Sequence, residues 1–283
     1  MKNNNCAVFL TAKLLISYLI TLIIISIFFY SRTLLDFLDI LIINKPSAKN
    51  VFILLTTPLP SILLISIPFA ICIGIPFGAL IIKDIKTQII KKPMGSFIII
   101  MLIGLMVSLT CIFISEYILP NSNVSFSATY RSILSNDDNI VFEYIAKSPR
   151  EMSLTRLMQE INLLKEQTQE NNRMLSIYKY ELQKCLVISL SSLFFSFFSF
   201  SLVFNIRKHL PIALVISIIV CPIYYFLLET TQLHFIKTGY AHYIIWIPNM
   251  ILLFISLLIN IICYLKKHYR NDDDFSVSGN NNE

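Results

Sequence analysis

The chain has 283 residues, of which 55% are hydrophobic and 14% charged, and its mean hydropathy is +0.70. A soluble domain usually carries about 25% charged residues, so this composition excludes an ordinary soluble fold. The formal net charge of +6 is the basic bias expected of loops on the cytoplasmic side of a membrane, and no nucleic-acid partner is expected.

Six apolar stretches are each long enough to cross a bilayer, which takes roughly 20 mostly apolar residues. They lie at about residues 10–30, 51–82, 97–119, 185–206, 210–230 and 243–265. We interpret the second, which contains four prolines, as one kinked span because its two pieces would be too short alone. The first is too long for a cleaved signal peptide. The predicted fold is an all-α membrane protein with six transmembrane helices in a 3 + 3 arrangement.

A segment of roughly 65 residues separates the third and fourth spans. We expect residues 121–150 to be irregular, apart from a strand-like run at 140–145, and residues 151–184 to form a helix leading into the fourth span. The predicted organisation is listed in chain order: a transmembrane half at 1–119, a reduced outer segment at 120–184, a second transmembrane half at 185–270 and a disordered tail at 271–283.

Basic residues are unequally divided between the two sides of the predicted bundle. The richer side holds Lys2, Lys13, Lys83, Lys86, Lys91, Lys92, Arg207, Lys208, Lys266, Lys267 and Arg270. The short loops of the other side hold Arg32, Lys45, Lys49 and Lys237. By the positive-inside rule, both termini are predicted to be cytoplasmic and the 120–184 segment to lie outside.

Residues typical of catalysis or ion coupling are absent from the expected places. The sequence has no GxxxxGK[ST] loop for ATP, and the predicted span interiors hold no Asp, Glu, Lys or Arg. Glu116 and Glu229 lie near span ends, where a helix-end carboxylate is favoured over the alternative of proton coupling. The six cysteines include no CxxC pair, so we predict no disulfide, metal site or cofactor. The chain is not expected to be an enzyme.

Small and hydroxylated residues in the spans suggest close helix packing. Gly74-Ile-Pro-Phe-Gly78 fits the small-xxx-small pattern, with a proline kink and a dimer face as the two open interpretations. The fourth span carries Ser189, Ser191, Ser192, Ser196, Ser199 and Ser201. We expect these hydroxyls to bond to backbone carbonyls.

Several motifs follow one another along the chain. The exit of the third span, Ser115 to Asn123, carries an E-x-x-x-P-x-x-N pattern and is followed by Tyr130-Arg131, and this arrangement resembles that of the LptF/LptG permease family. The other matching pieces are Met152 to Ile161, Tyr180 to Lys184, Ile223-Tyr-Tyr225, Trp246-Ile-Pro-Asn249, Phe37-Leu-Asp39, Leu59-Pro60 and Ile67-Pro68. The positions carried over from the family are Glu116, Pro120, Tyr225, Trp246, Pro248 and Asn249.

This resemblance implies a permease half of a lipid-extracting ABC transporter in the bacterial inner membrane. The implied partners are a cytoplasmic ABC ATPase dimer, a second LptF/LptG-like chain and a periplasmic bridge protein. The implied substrate is lipopolysaccharide or a related lipid. The family carries a β-jellyroll of over a hundred residues between spans three and four, and roughly eight strands do not fit into residues 121–150.

The longest cytoplasmic connection between spans, residues 83–96, is expected to be a short helix that docks on the ATPase. The residues of this segment that we expect to couple to the ATPase are Lys83, Asp84, Ile85, Lys86, Thr87, Ile89 and Ile90. Ile85, Ile89 and Ile90 form an apolar face suited to a partner groove, and the alternative is that the lysines only set topology. The family's loop glutamate, eight residues before Gly95, is replaced by Thr87, and Asp84 is the nearest acid.

Arg32, Lys45 and Lys49, just outside the first span, are candidates for attracting anionic lipid head groups, with ordinary solvated loop charges as the alternative. Two other functional classes stay open at this point: a structural membrane scaffold without transport, and a secondary transporter. The second is disfavoured by the predicted charge-free spans.

Overall fold

A computed structural model of the chain describes residues 2–135, 148–166, 172–206, 209–238 and 242–278. The described residues form ten α-helices: α1 (Lys2–Asn44), α2 (Ala48–Thr56), α3 (Leu59–Ile81), α4 (Lys83–Lys91), α5 (Pro93–Phe113), α6 (Leu119–Ser135), α7 (Leu154–Glu166), α8 (Asn172–Asn205), α9 (Leu210–Thr238) and α10 (Ile247–Ser278). A π turn (Ile114–Ile118) joins α5 to α6, and two 3₁₀ turns (Pro149–Glu151 and His242–Trp246) precede α7 and α10.

Six helical stretches are long and apolar enough to cross a membrane, as the sequence predicts. They are Phe9–Leu38, Ala48–Ile81, Pro93–Ile133, Met174–Asn205, Leu210–Phe235 and Tyr243–Leu265. The proline-rich second stretch is one such unit, made of α2 and α3 with a turn at Thr57 and Pro58, while Pro68 and Pro76 lie inside α3. The all-α prediction is confirmed, and no strand occurs within the described ranges.

Helices α3 and α8 form the centre of the bundle. In their most apolar stretches, 78% and 67% of the residues are buried, against 17% to 28% for the other four spans. Around these two helices pack α1, α5, α9 and α10, whose remaining faces carry the exposed Leu, Ile and Phe side chains expected against lipid.

The Gly74 and Gly78 pair lets α1 approach α3 closely. A Cβ added at Gly74 would lie 2.8 Å from Thr21 Oγ1 and 3.2 Å from the Tyr18 Cα, and one at Gly78 would lie 2.8 Å from Ser17 Oγ. Small residues permit such backbone approach in membranes. Of the two interpretations left open, a dimer face is therefore wrong for this side of the motif, because α1 of the same chain occupies it.

Most of the α8 serines that make hydrogen bonds do so as expected. Ser191, Ser196 and Ser201 donate to carbonyls three or four residues earlier in α8. Ser199 departs from this pattern and donates to the Cys72 carbonyl of α3 at 2.9 Å. The hydroxyl therefore joins the two central helices, since it bonds to a neighbouring helix rather than to its own.

Three contacts between helices set their relative heights. The Ser199 hydroxyl bonds to the Cys72 carbonyl, and the Cys72 thiol donates to the Ser217 carbonyl of α9 at 3.8 Å. The Ser17 hydroxyl of α1 donates to the Gly74 carbonyl of α3 at 2.6 Å. These residues share one level near the middle of the bundle.

Apart from Lys13 of α1, which lies about 6 Å inward of Ser17, charged residues lie at similar heights on both sides of that level. Counting about 1.5 Å per helical residue, Arg32 of α1, Lys184 of α8 and Glu229 of α9 lie about 18 to 23 Å outward. Helix α4 begins about 17 Å inward, so the two charged levels are about 35 to 40 Å apart. Because the hydrocarbon core is about 30 Å thick, we infer that these levels mark its two surfaces. We call the end of the bundle that carries α4 the inner end, because the predicted orientation places it on the cytoplasmic side, and we call the opposite end the outer end.

The outer segment is more helical than we predicted. Residues 121–135, expected to be irregular, belong to α6, which continues the third span through the π turn. The reason is a small apolar core outside the bilayer, where Phe126, Tyr130 and Ile133 of α6 pack with Phe37 of α1 and Leu54 of α2. Helix α7 and the outer part of α8 agree with the predicted helix. The strand-like run at 140–145 lies outside the described residues.

Candidate functional site

Two family motifs meet at the outer end of the bundle. Glu116, in the π turn of the third span, accepts hydrogen bonds from both the Thr155 backbone N–H, at 3.1 Å, and the Thr155 hydroxyl. Thr155 is the second residue of α7, so the carboxylate caps a helix N-terminus, where negative charge is favoured. Glu116 was interpreted as a helix-end carboxylate, and in the structure its partner is Thr155 at the start of α7.

The turn Pro149–Glu151, which precedes α7, is held from two sides. The Asn123 side-chain amide donates to the Arg150 carbonyl at 2.7 Å, and the Ser127 hydroxyl donates to Glu151 Oε1 at 2.8 Å. Arg150 Nε donates to Glu181 Oε1 of α8 at 3.1 Å. Helix α6, the turn and α8 therefore form one polar cluster, which we call the outer latch: Glu116, Asn123, Ser127, Arg150, Glu151, Thr155 and Glu181.

A second junction lies within the bundle and joins α8, α9 and α10. The Tyr224 hydroxyl donates to Asn249 Oδ1 at 2.9 Å, and Asn249 Nδ2 donates to the Val187 carbonyl at 3.2 Å. Asn249 and Pro248 are buried near the start of α10, and Trp246 is half-buried against the neighbouring apolar cluster. The motif positions of the last two spans therefore act as a helix junction.

Tyr225, the tyrosine named from the family motif, occupies a different environment from Tyr224. Its hydroxyl donates to Glu229 Oε1 at 3.0 Å, and its ring centre lies 6.3 Å from that of Phe29. The Arg32 guanidinium lies close enough to interact electrostatically with this hydroxyl. Arg32, Tyr225 and Glu229 thus form a polar group where α1 and α9 reach the outer surface.

The three basic candidates for head-group contact are exposed but are not one cluster. Arg32 lies beside α9, whereas Lys45 and Lys49 flank the turn between α1 and α2. Lys45 has a positive φ of 43°. Along α1, this turn is about 20 Å beyond Arg32. The structure therefore separates an arginine at the bilayer surface from two lysines well outside it.

Two of the three isoleucines expected to dock on an ATPase, Ile85 and Ile89, are buried in this chain. Ile85 and Ile89 are both 0% exposed and pack in the cluster that includes Leu10 and Leu14 of α1. A Cβ at Gly78 would lie 3.2 Å from Ile85 Cδ1. The expectation that Ile85 and Ile89 form a free apolar face for an ATPase is therefore wrong, because the helices of the same chain bury both side chains.

The remaining positions of this loop differ in accessibility. Thr87 and Lys91 are exposed, and Lys86 is half-buried. Met94, just after α4, is 71% exposed. The side chains of Lys83, Asp84 and Ile90 lie outside the described residues. The exposed surface at this end of the bundle thus includes the polar side of α4 and the residues that follow it.

Sequence reasoning missed several residues that the structure brings into these junctions. Arg150 was not singled out, and Thr155, Glu181 and Tyr224 were included only as parts of longer motifs, without a role. The sequence around residues 148–155 did not indicate a partner for Arg150, because that partner, Glu181, is 31 residues away in the chain. Within the described ranges, no group of three His, Cys, Asp or Glu side chains is arranged to hold a metal ion.

The fold and the site define a six-span, multi-pass membrane protein with helical outer extensions and two polar junctions. The family model "Lipopolysaccharide export system permease LptF/LptG" matches residues 135–261. This match supports an LptF/LptG-family permease, as the motifs indicated. The match runs from the end of α6 into α10, and it contains Thr155, Tyr225, Trp246, Pro248 and Asn249.

Proteins of this family are transporter components with a role in lipopolysaccharide export. A bacterial inner-membrane location is consistent with the family and the six apolar helices. No curated protein matches the chain. Helix α4 and Glu116 lie before the matched residues, and the Glu116–Thr155 contact joins this first part of the chain to the matched part.

Proposed function

We propose that this chain is one permease subunit of an ABC transporter that extracts lipopolysaccharide, or a related lipid, from the inner membrane. A second LptF/LptG-like chain completes the membrane part, and a cytoplasmic ATPase dimer supplies the energy. Both termini and α4 lie on the cytoplasmic side, in keeping with the lysine bias. The observation that carries the proposal is α4, a short inner-end helix fixed to the central bundle.

Anchoring by Ile85 and Ile89 makes α4 suitable for transmitting movement. Both side chains are fully buried between helix ends, so a displacement of α4 must displace its neighbours or expose apolar surface. Ile85 lies against the Gly78 region of α3, the most buried span. A force applied by an ATPase to the exposed side of α4 would therefore reach the middle of the permease.

The lipid side of the proposal rests on Arg32. Its guanidinium lies at the outer surface of the bilayer, beside the exposed face of α1 and next to Tyr225 of α9. A phosphate group at this height would meet the charge directly, and one basic residue near an anionic surface contributes about 1 kcal/mol. Lys45 and Lys49 are positioned to meet head groups only after these have risen from the membrane.

A bridge protein would meet helices on this chain. The 12 residues between Ser135 and Ser148 are too few for an eight-stranded domain, whose strands average 5 to 6 residues each, or about 40 in all. The described outer segment is helical on both sides of that gap. Contact with a periplasmic bridge would therefore use the surface of α1, α2, α6 or α7, with no sheet edge from this part.

The test is a charge reversal on α4. We expect Lys86→Glu with Lys91→Glu to abolish co-purification of the ATPase and lipid-stimulated ATP hydrolysis, while the membrane level of the protein is unchanged. The matched control is Arg156→Glu with Lys165→Glu, which makes the same change of charge at two exposed residues of α7, at the outer end of the bundle. Single-cysteine labelling checks that both variants keep their topology.

Two results would contradict the proposal. Normal ATPase binding by the Lys86/Lys91 variant would remove α4 from the contact. A complex that is stable in both variants and whose ATP hydrolysis does not respond to lipid would favour a scaffold. The double change Ile85→Asp with Ile89→Asp is not a clean test, because it places two charges in the core.

A further inference from the structure

One charged residue lies in the inner half of the membrane-spanning bundle. Of the six apolar stretches, only the first has an Asp, Glu, Lys or Arg on the inner side of the level of Ser17 and Cys72, and that residue is Lys13 of α1. Its Cα lies about 11 Å from the inner surface of the bilayer, because α4 begins about 17 Å inward of that level and Lys13 about 6 Å inward. Ionisable residues at such a depth are rare and usually have a function.

The Lys13 side chain is directed toward the inner surface. Its ammonium nitrogen lies 3.7 Å from the centre of the Phe9 ring, which is one helical turn nearer the inner end. Because that turn corresponds to about 6 Å, the ammonium group lies about 5 Å from the surface of the bilayer. The cation–π contact thus holds the charge at the boundary between acyl chains and head groups.

Lys13 also lies at the border between a helix contact and the lipid-facing surface. Leu10 and Leu14, on one side of it, are buried in the cluster that contains the buried isoleucines of α4. On the other side, Phe9 is 49% exposed and Ile16 54% exposed. Phe9, Lys13 and Ile16 follow one another at steps of four and three residues, so they share one face of α1. We call these three side chains the inner site.

The chemistry of the inner site fits an anionic phospholipid. At this depth the inner leaflet supplies a phosphate group for the ammonium of Lys13, and the acyl chain attached to that phosphate would lie along Ile16. Lys86, half-buried on the neighbouring α4, adds a second positive charge at the inner end. Basic residues between membrane-spanning helices on the cytoplasmic side bind such head groups.

We propose that the inner site binds one anionic phospholipid of the inner leaflet, with its phosphate on the Lys13 ammonium and an acyl chain along Phe9 and Ile16. This lipid is a resident of the bilayer and not an exported substrate, so the inference does not depend on the proposed export function. A zwitterionic lipid is attracted less, because its own amine offsets the charge of its phosphate. The bound lipid covers the edge of the contact between α1 and α4.

The rival occupant is an acidic side chain from another membrane chain, since intramembrane charges also pair across helix contacts. Photo-cross-linking separates the two. A photoreactive phenylalanine replaces Ile16 in the full chain, which is reconstituted without ATP in bilayers of phosphatidylglycerol and phosphatidylcholine in equal amounts. The lipids attached to the protein are identified by mass spectrometry.

Ile98 of α5 is the matched control position. It is 56% exposed, and counting through the contact between Gly104 and Ser196 places it about 5 Å inward, close to the depth of Lys13. It follows the exposed Lys92 by six residues, so it reports the general attraction of anionic lipid to the basic inner end.

At Ile16 we expect phosphatidylglycerol adducts to exceed phosphatidylcholine adducts about fivefold, which corresponds to about 1 kcal/mol for one basic residue. At Ile98 the excess should be less than about twofold, because the charges near it are exposed and screened. Lys13→Gln should lower the ratio at Ile16 to that at Ile98, whereas Lys13→Arg should keep it.

Four results would overturn the proposal. Equal ratios at Ile16 and Ile98 would reduce it to general attraction, and this comparison needs no change at Lys13. A ratio at Ile16 that Lys13→Gln leaves unchanged would remove the lysine from the site. Adducts at Ile16 with a second membrane chain in place of lipid would assign the surface to the rival occupant. Loss of the enrichment on adding inorganic phosphate would show that Lys13 binds the free anion.

Discussion

Replacing Gly104 by alanine tests how closely α5 and α8 pack. A Cβ at this position would overlap Ser196 Oγ, lie 2.9 Å from Ser196 Cβ and lie 3.4 Å from the Ser192 carbonyl oxygen. The Ser196 hydroxyl is itself bonded to that carbonyl at 2.7 Å. The new methyl group must therefore displace a hydrogen-bonded side chain or separate two helices.

The expected change in the free energy of unfolding combines two destabilising contributions and one stabilising contribution. Over-packing a close contact costs about 1 to 3 kcal/mol. Loss of the Ser196 hydrogen bond adds about 0.6 kcal/mol, the mean for such bonds in a membrane protein. The alanine regains up to about 1 kcal/mol of helix propensity. We expect Gly104→Ala to lower the free energy of unfolding by about 1 to 3 kcal/mol.

Gly95→Ala is the matched control, because a Cβ there would meet nothing within 4 Å. It is expected to leave the free energy of unfolding unchanged or raise it by up to about 1 kcal/mol. Both variants are purified in the same detergent and unfolded reversibly by increasing the fraction of denaturing detergent. The difference between the two variants isolates the steric contribution at Gly104.

Compensating substitutions at Ser196 sharpen the test. Ser196→Gly removes both overlapping atoms, so combined with Gly104→Ala it should show a favourable coupling energy of at least about 1 kcal/mol in a double-mutant cycle. Ser196→Ala removes only Oγ and should rescue less. If Gly104→Ala is no less stable than Gly95→Ala, or if the coupling is absent, the close packing of α5 on α8 is refuted.

Three further predictions concern the polar contacts. Glu116→Ala should expose the start of α7 and cost about 0.5 to 2 kcal/mol locally, seen as faster hydrogen exchange at Thr155; unchanged exchange would contradict the cap. Tyr224→Phe leaves the buried Asn249 oxygen without its donor, so the free energy of unfolding should fall by about 1 to 3 kcal/mol, whereas Tyr225→Phe should have a smaller effect. Arg32→Ala should weaken binding of a fluorescent anionic phospholipid to the detergent-purified protein about fivefold, corresponding to about 1 kcal/mol, and Arg32→Lys should restore most of it; equal binding by all forms would leave Arg32 an ordinary surface charge.

The six spans could be predicted because the relevant property is local. Crossing hydrocarbon requires an unbroken apolar run, and each run in this chain can be counted without knowing its neighbours. The fourth span was predicted to end at residue 206, and its helix ends at Asn205. The family motifs were likewise readable in sequence order, and those from Met152 to Asn249 lie within the residues 135–261 that the family model matches.

Helix α6 was missed although the sequence held a signal for it. Phe126, Tyr130 and Ile133 recur at steps of four and three, the period of a helix with one apolar face. The segment is otherwise rich in Asn and Ser, which favour turns. Its apolar face becomes stable through Phe37 and Leu54, which lie far away in the sequence. Tertiary packing here outweighed local preference.

Helix α4 shows most directly what the sequence determines and what it does not. The period of its isoleucines correctly predicts a short helix with an apolar face, because this property depends only on spacing. The same spacing fits a groove on another protein and a groove in the chain's own bundle equally well. Only the tertiary structure decided between them: α1 and α3 lie close enough to bury Ile85 and Ile89, which leaves the polar side for a partner.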